Sequence, residues 1–215
     1  MKEYFFRYYF HFFIYFVLGI FIYQLYNIFR SIHKKNSLKQ YIQDLFIITS
    51  VGFLCSIALL PYFPIINFDE YNYLLMAKNI FENNVNAICD SASRGQCMSY
   101  TIPPHGLGVS SIYSLLYSSS VNIFKYKIVA LHIMLKCLSC YLLYFIAIKK
   151  LNFKKNSLYL AIFLVSLSSL NVFTLSLMPT VLTYFFVIVL LYIYYEEEGD
   201  LTKVSSRAFF PCVLL

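Results

Sequence analysis

Long apolar runs separated by short polar segments dominate the chain. A helix needs about twenty apolar residues to cross a hydrocarbon core about 30 Å thick. The pattern therefore predicts an all-α, polytopic helical membrane protein with about five transmembrane helices. The predicted spans are Tyr8–Phe29, Leu45–Ile66, Lys127–Ile148, Ser157–Leu175 and Val181–Tyr195.

A sixth, weaker run between Gly106 and Phe124 decides the topology. Ser110, Ser114, Ser118 and Asn122 recur every four residues, which places them on one face of a helix. A helix that is polar on one face suits the membrane interface better than the lipid core. We therefore predict an interfacial helix over 106–124.

The distribution of Lys and Arg supports this choice. With the interfacial helix and an outside loop at 67–105, the cytoplasmic segments carry ten of these residues and the outside carries six. A spanning helix at 106–124 would reverse the balance, and cytoplasmic loops normally carry the excess. The predicted organisation is an extra N-terminal helix with a basic cytoplasmic loop (1–42), a transmembrane module (43–195) and a polar cytoplasmic tail (196–215).

Composition agrees with a membrane location. Hydrophobic residues make up 60% of the chain and charged residues only 13%, against roughly 25% charged in soluble domains. The net charge of +7 comes from Lys and Arg that flank the apolar runs. That placement indicates membrane orientation and no nucleic-acid partner.

The acidic pair Asp69–Glu70 lies where the second run leaves the membrane. Carboxylates in such places usually serve a function. The functional interpretation is a general base, or a ligand for a divalent cation, with Asp69 as the candidate ligand. The structural alternative is helix capping, with Asn67 as N-cap and both acids favoured by the dipole of a helix over Asp69–Asn83.

Three basic residues are candidates for substrate binding. Lys136 lies near the middle of the third predicted span, where an unpaired charge is costly, so we expect it to face the bundle interior with an anionic partner. His132 lies on the same face one turn earlier, and both suit an anionic headgroup such as a lipid phosphate. His105 follows Pro103 and Pro104 and would lie near the acids if the loop folds back; a plain interfacial position is the alternative.

We expect two pairs of cysteines to have different roles. Cys89 and Cys97 lie in the predicted outside loop, where an oxidising compartment would allow a disulfide; two free thiols are the alternative. Cys137 and Cys140 lie within an apolar run without a second pair, which favours packing over zinc or redox chemistry.

The order of these segments resembles the N-terminal portion of GT-C class integral-membrane glycosyltransferases, in particular protein O-mannosyltransferases and aminoarabinose transferases. The resemblance rests on the acidic stretch Asn67–Tyr73, the step Ile102–Leu107 onto an interfacial helix, His132, the basic turn Lys149–Lys155 and the outer turn Ser176–Thr180. Members of that class run to several hundred residues. The resemblance therefore implies that further helices complete the fold, from the same protein or a partner chain.

The resemblance also implies an activity. The donor would be a polyprenyl-phosphate-linked sugar, used on the extracytoplasmic face of a bacterial inner or plasma membrane. Asp69 would act as the base with Glu70 beside it, while His132 or Lys136 would hold the donor phosphate. Tyr71 and Lys78 of the same acidic helix are assigned to substrate binding. A non-catalytic membrane subunit or lipid-binding scaffold is the alternative from another class.

Overall fold

Helices make up nearly all of the described part of the chain. The computed structural model describes residues 14–28, 30, 38–59, 68–83, 87–88, 98–99, 107–149, 157–177 and 179–197. The helices are α1 (Ile14–Ile28), α2 (Leu38–Leu59), α3 (Phe68–Asn83), α4 (Leu107–Ser114), α5 (Val121–Lys149), α6 (Ser157–Ser166), α7 (Ser168–Leu175) and α8 (Thr180–Glu196). The strands β1 (Ala87–Ile88) and β2 (Met98–Ser99) form one short antiparallel pair.

Two of the described helices are long and apolar enough to cross a membrane. These are α2, through its stretch Ile42–Leu59, and α5, through Val121–Ile148. The all-helical class is thus confirmed for the described residues, but five complete spans are not. The predicted second span, Leu45–Ile66, is helical as far as Leu59, and its remaining residues lie outside the described part of the chain.

Helix α5 lies at the centre of the bundle. It packs against α2, α6, α7 and α8. Its partners on α2 run in the opposite order: Lys136 bonds to Ser56, whereas Tyr144 donates a hydrogen bond to Asp44. The two long helices are therefore antiparallel.

The N-terminal helix α1 belongs to the same core. The Phe21 ring lies 6.2 Å from the ring of Phe185 and 5.1 Å from that of Phe186, centroid to centroid. At its other end, Tyr15 shares a hydrogen bond with Ser114 of α4. The extra N-terminal helix thus packs into the bundle.

The predicted interfacial helix is shorter than the sequence indicated. Helix α4 ends at Ser114, and Val121–Phe124 already belong to α5. The serine face points inward, since Ser110, Ser111 and Ser114 are fully buried. The polar periodicity therefore reflects packing of α4 against α3 inside the protein and not a water-facing side.

The predicted fourth span is interrupted at Leu167. This residue takes an extended conformation, with φ −55° and ψ 127°, between α6 and α7. The Ser166 hydroxyl donates to the carbonyl of Phe163 at 2.9 Å, a local bond that competes with helix continuation. The Leu167 carbonyl accepts the Asn171 backbone amide at 3.1 Å and the Asn171 side-chain amide at 2.9 Å, so both bonds fix the start of α7.

The short β pair bears on the predicted disulfide. Cys89 and Cys97 themselves lie outside the described residues, but Ala87 pairs with Ser99 and Ile88 with Met98. The described residues that precede Cys89 and follow Cys97 are therefore paired with each other.

We expect protein from an oxidising compartment to contain this disulfide. Alkylation under non-reducing conditions should leave the peptides of Cys89 and Cys97 unmodified and linked, while Cys55 remains alkylatable as an internal control. Reduction should release both peptides in mass spectrometry. Recovery of both cysteines alkylated before reduction would show two free thiols.

Candidate functional site

One buried polar cluster joins four segments that are distant in sequence. The Leu177 backbone amide donates to the Glu70 carboxylate at 3.1 Å. The Tyr113 hydroxyl lies 2.8 Å from Nε2 of His132 and 3.1 Å from the carbonyl oxygen of Leu177. The second ring nitrogen of His132, Nδ1, lies 3.0 Å from the carbonyl oxygen of Ser176. Helices α3, α4 and α5 thus meet at the turn between α7 and α8.

The hydrogen bonds restrict where protons can sit in this cluster. A carbonyl oxygen only accepts, so Nδ1 of His132 carries a proton and donates it to Ser176. With a neutral imidazole, Nε2 is an acceptor, and the single proton of Tyr113 points at it. With a doubly protonated imidazole, Nε2 donates to Tyr113, whose proton then goes to the Leu177 carbonyl. The Tyr113 hydroxyl can therefore bond to His132 in either protonation state of the imidazole, while the Leu177 carbonyl serves as a second acceptor.

The environment of Tyr113 keeps its hydroxyl protonated. Burial raises its pKa well above the ordinary value, and the nearby Tyr73 and Glu70 raise it further. The Tyr73 ring meets the Tyr113 ring edge to face, with 6.4 Å between centroids. Glu70 and His132 are themselves fully buried. Tyr113 thus serves as a neutral hydrogen-bonding link between His132 and Leu177, whose amide bonds to Glu70.

A second polar cluster surrounds Lys136, one helical turn beyond His132 on α5. The Lys136 ammonium donates to Ser56 Oγ at 2.6 Å, to Asn171 Oδ1 at 2.6 Å and to the Gly52 carbonyl at 3.1 Å. All three acceptors are neutral, and an ammonium has three protons to give. Lys136 faces the interior as expected, but the expected anionic partner is replaced by these three oxygens in the described part of the chain.

Close approach of the helices makes the lysine cluster possible. A Cβ atom on Gly52 would lie 2.6 Å from Cγ2 of Val165 and 2.7 Å from Sγ of Cys137. Glycine therefore lets α2 approach α5 and α6 closely enough for its carbonyl to reach Lys136. Cys137 and Cys140 are free, buried thiols within this packing.

The other assigned residues of α3 lie on its exposed side. Lys78 is half exposed and pairs with Glu82 across one turn, at 3.9 Å from nitrogen to oxygen. Tyr71 is also exposed. Tyr117 donates a hydrogen bond to Glu82, and this bond, ahead of burial and the carboxylate charge, raises the pKa of Tyr117 to about 12.

The structure thus brings together some of the predicted site residues and separates others. Glu70 and His132 belong to one cluster, Lys136 to another, and Tyr71 and Lys78 to the outer face of α3. The backbone of Asp69 lies in the first turn of α3, and its side chain lies outside the described residues, as do Asn67 and His105. Within the described ranges, no three His, Cys, Asp or Glu side chains converge as a metal site would require.

Three residues of the two polar clusters were not predicted from the sequence. Tyr113, Ser56 and Asn171 are each fully buried and hold one of the two clusters together. Ser56 and Asn171 are polar residues inside predicted spans, and such residues usually face the bundle interior and bond across helices. That signal could have paired them with Lys136. Nothing comparable distinguishes Tyr113 among the 21 tyrosines of the chain.

Comparison with known proteins gives no match to a family model, to a curated protein or to a solved structure. The chemistry of the site is therefore argued from its own geometry. The first cluster offers a carboxylate held by a backbone amide and a tyrosine hydrogen-bonded to an imidazole. The second offers a cation whose donors are all used within the protein.

Proposed function

We propose that the chain is part of a multi-pass membrane glycosyltransferase that acts on the extracytoplasmic face. It would transfer a sugar from a polyprenyl-phosphate-linked donor to a lipid, glycan or protein acceptor. The observation that carries the proposal is the bond between Glu70 and the Leu177 amide, because it joins the acidic stretch to a turn 107 residues later in sequence. These are two of the segments on which the resemblance to this enzyme class rests.

Asp69 is the proposed base. It directly precedes Glu70 in the first turn of α3, where the helix dipole favours a negative charge. As the acceptor oxygen bonds to the anomeric carbon of the sugar, the bond from that carbon to the phosphate oxygen breaks. Asp69 takes the acceptor proton, and the polyprenyl phosphate leaves with the bonding electrons.

Glu70, His132 and Lys136 then have positioning roles in this proposal. Their polar atoms bond to the protein, which fixes the start of α3 against the α7–α8 turn and α5 against α2. Lys78 and Tyr71, on the exposed side of α3, remain the side chains of that helix that could contact substrate.

The test is a transfer assay with the full chain in liposomes. Radiolabelled polyprenyl-phosphate sugars, mannose and aminoarabinose first, are supplied with a bacterial lipid extract as acceptor. We expect Asp69→Asn to lower the rate of label transfer by about 100-fold or more, the usual scale of a lost general base. A chelator in the same assay tests the divalent cation assigned to Asp69.

Glu197→Gln is the matched control, since it also replaces an acid by its amide. It lies at the far end of α8, about 25 Å along the helix from the α7–α8 turn, so transfer should be unchanged. Equal transfer by the native chain and Asp69→Asn would remove Asp69 from the mechanism. Absence of transfer from every donor in the native chain would contradict the enzyme proposal for this chain by itself.

A non-catalytic membrane subunit or scaffold is the second candidate. It is favoured by the internal bonding of His132 and Lys136, because the donors of both side chains are engaged within the protein. A subunit would show no transfer alone, and a tagged copy would co-purify with a larger membrane partner whose activity depends on it.

A further inference from the structure

An apolar groove runs along the outer side of the two long helices. Its volume is about 500 Å³, within the range of sites that hold small ligands. One wall comes from α2 and the other from α5, and the side chains of both walls are almost entirely apolar. The wall residues used below are Phe53 and Ile57 on α2 and Tyr126, Ala130 and Met134 on α5.

The groove opens outward, away from the core of the bundle. Phe53, Ile57 and Met134 are each about half exposed. Only 22% of the residues in the apolar stretch of α2 are buried, against 67% of those in the apolar stretch of α5. Because both helices have the length and composition of membrane spans, the open side of the groove faces hydrocarbon if they cross a bilayer.

Lys127 gives the groove a charged end. It precedes Ala130 by three residues and Met134 by seven, so it lies on the same face of α5 as the groove wall. Its side chain is exposed, and within the described ranges it makes no ion pair. Lys125 is two residues earlier and lies on a different side of the helix.

The spacing of charges along α5 puts Lys127 at an interface. Lys149 follows 22 residues later, about 33 Å along the helix and close to the thickness of a hydrocarbon core. Tyr126, which is half exposed, lies next to Lys127 at the end of the groove. A tyrosine beside a lysine is typical of the headgroup level of a membrane.

We infer that this groove binds one acyl chain of an anionic phospholipid, whose phosphate is held by Lys127. The apolar walls match a hydrocarbon chain, and the exposed lysine at the interfacial end supplies the complementary charge. A zwitterionic lipid would fill the same walls but would gain less from Lys127 because its headgroup carries no net charge. The site is separate from the Glu70 cluster and does not depend on the proposed sugar transfer.

Fluorescence quenching can test the inference directly, because the chain contains no Trp. Phe53→Trp places a single reporter in the groove, and Met134→Trp places one on the opposite wall. Each variant of the full chain is reconstituted in vesicles of equal parts phosphatidylglycerol and phosphatidylcholine. Only one of the two lipids is brominated in each preparation, so the charge of the membrane stays constant while the quencher changes.

We expect both groove reporters to show about fivefold preference for phosphatidylglycerol, the effect of one lysine near an anionic headgroup. Phe163→Trp is the matched control, since Phe163 is exposed on α6 outside the groove, and it should show a ratio near one. Adding Lys127→Ala to Phe53→Trp should bring the ratio down to about one, whereas Lys125→Ala should leave it unchanged.

Three outcomes would overturn the inference. A ratio near one at both groove reporters would mean that no anionic lipid is selected. An equal loss of preference with Lys125→Ala would assign the effect to general surface charge. Weak quenching by both brominated lipids would mean that protein and not lipid fills the groove.

Discussion

Replacing Asn171 with Ala is expected to lower the free energy of unfolding by about 3 kcal/mol. Its Oδ1 accepts from Lys136 at 2.6 Å and from Ser56 at 3.1 Å, and its amide donates to the Leu167 carbonyl. Alanine leaves the buried Lys136 ammonium one acceptor short, whereas the Leu167 carbonyl keeps its bond from the backbone amide of residue 171, at 3.1 Å. A buried polar group that loses its partner costs about 1–3 kcal/mol, and a charged group costs more.

The measurement is thermal unfolding of the purified chain in a mild detergent, with equilibrium unfolding for the free energy. Asn122→Ala is the control for the same chemical change, because Asn122 is exposed at the start of α5; its effect should stay within about 0.5 kcal/mol. Asn171→Asp keeps an acceptor for Lys136 and should recover part of the loss. Equal stability of Asn171→Ala and Asn122→Ala would show that the lysine cluster does not stabilise the fold.

Gly52→Ala is expected to destabilise the bundle by about 1–3 kcal/mol, the usual cost of overpacking a filled interior. The added methyl would lie 2.6 Å from Cγ2 of Val165 and 2.7 Å from Sγ of Cys137. Valine is stiff about its first side-chain torsion, so it cannot easily turn away. The helices must separate, and the bond from Lys136 to the Gly52 carbonyl should lengthen with them.

Gly19→Ala provides the opposite control. No atom lies within 4 Å of the Cβ position there, so Ala should be tolerated and should favour the helix by about 0.5–1 kcal/mol.

The double variant Gly52→Ala with Val165→Ala removes the nearest clashing methyl. In a double-mutant cycle, we expect the double variant to lose less stability than the sum of the losses in the two single variants. Purely additive effects would contradict the clash as the cause.

The sequence predicted the helices better than it predicted their continuity. The start and end of α3 agree with the predicted helix Asp69–Asn83 within one residue, because an acidic pair and an apolar face mark it clearly. The break at Leu167 was not predicted. Hydropathy averages over a window of residues, whereas the break depends on one hydroxyl of Ser166 and one amide of Asn171.

The candidate site was predicted in part for the same reason. Charged residues in apolar runs are conspicuous, so Glu70, His132 and Lys136 could be selected from the sequence. Their partners could not, since neutral oxygens such as the Gly52 carbonyl leave no mark on hydropathy or charge. The serine face of α4 had a true helical period, but the period alone could not tell a buried polar face from one facing water.

The three residues that accept hydrogen bonds from Lys136 are synthesised at different times. Gly52 and Ser56 precede it by 84 and 80 residues, whereas Asn171 follows it by 35. During synthesis, which proceeds from the N-terminus, the lysine can therefore enter beside two oxygens that are already in place on α2. The third oxygen arrives only with α7, so the hydrogen bonds of Lys136 are complete only after α7 has been synthesised and has packed against α5.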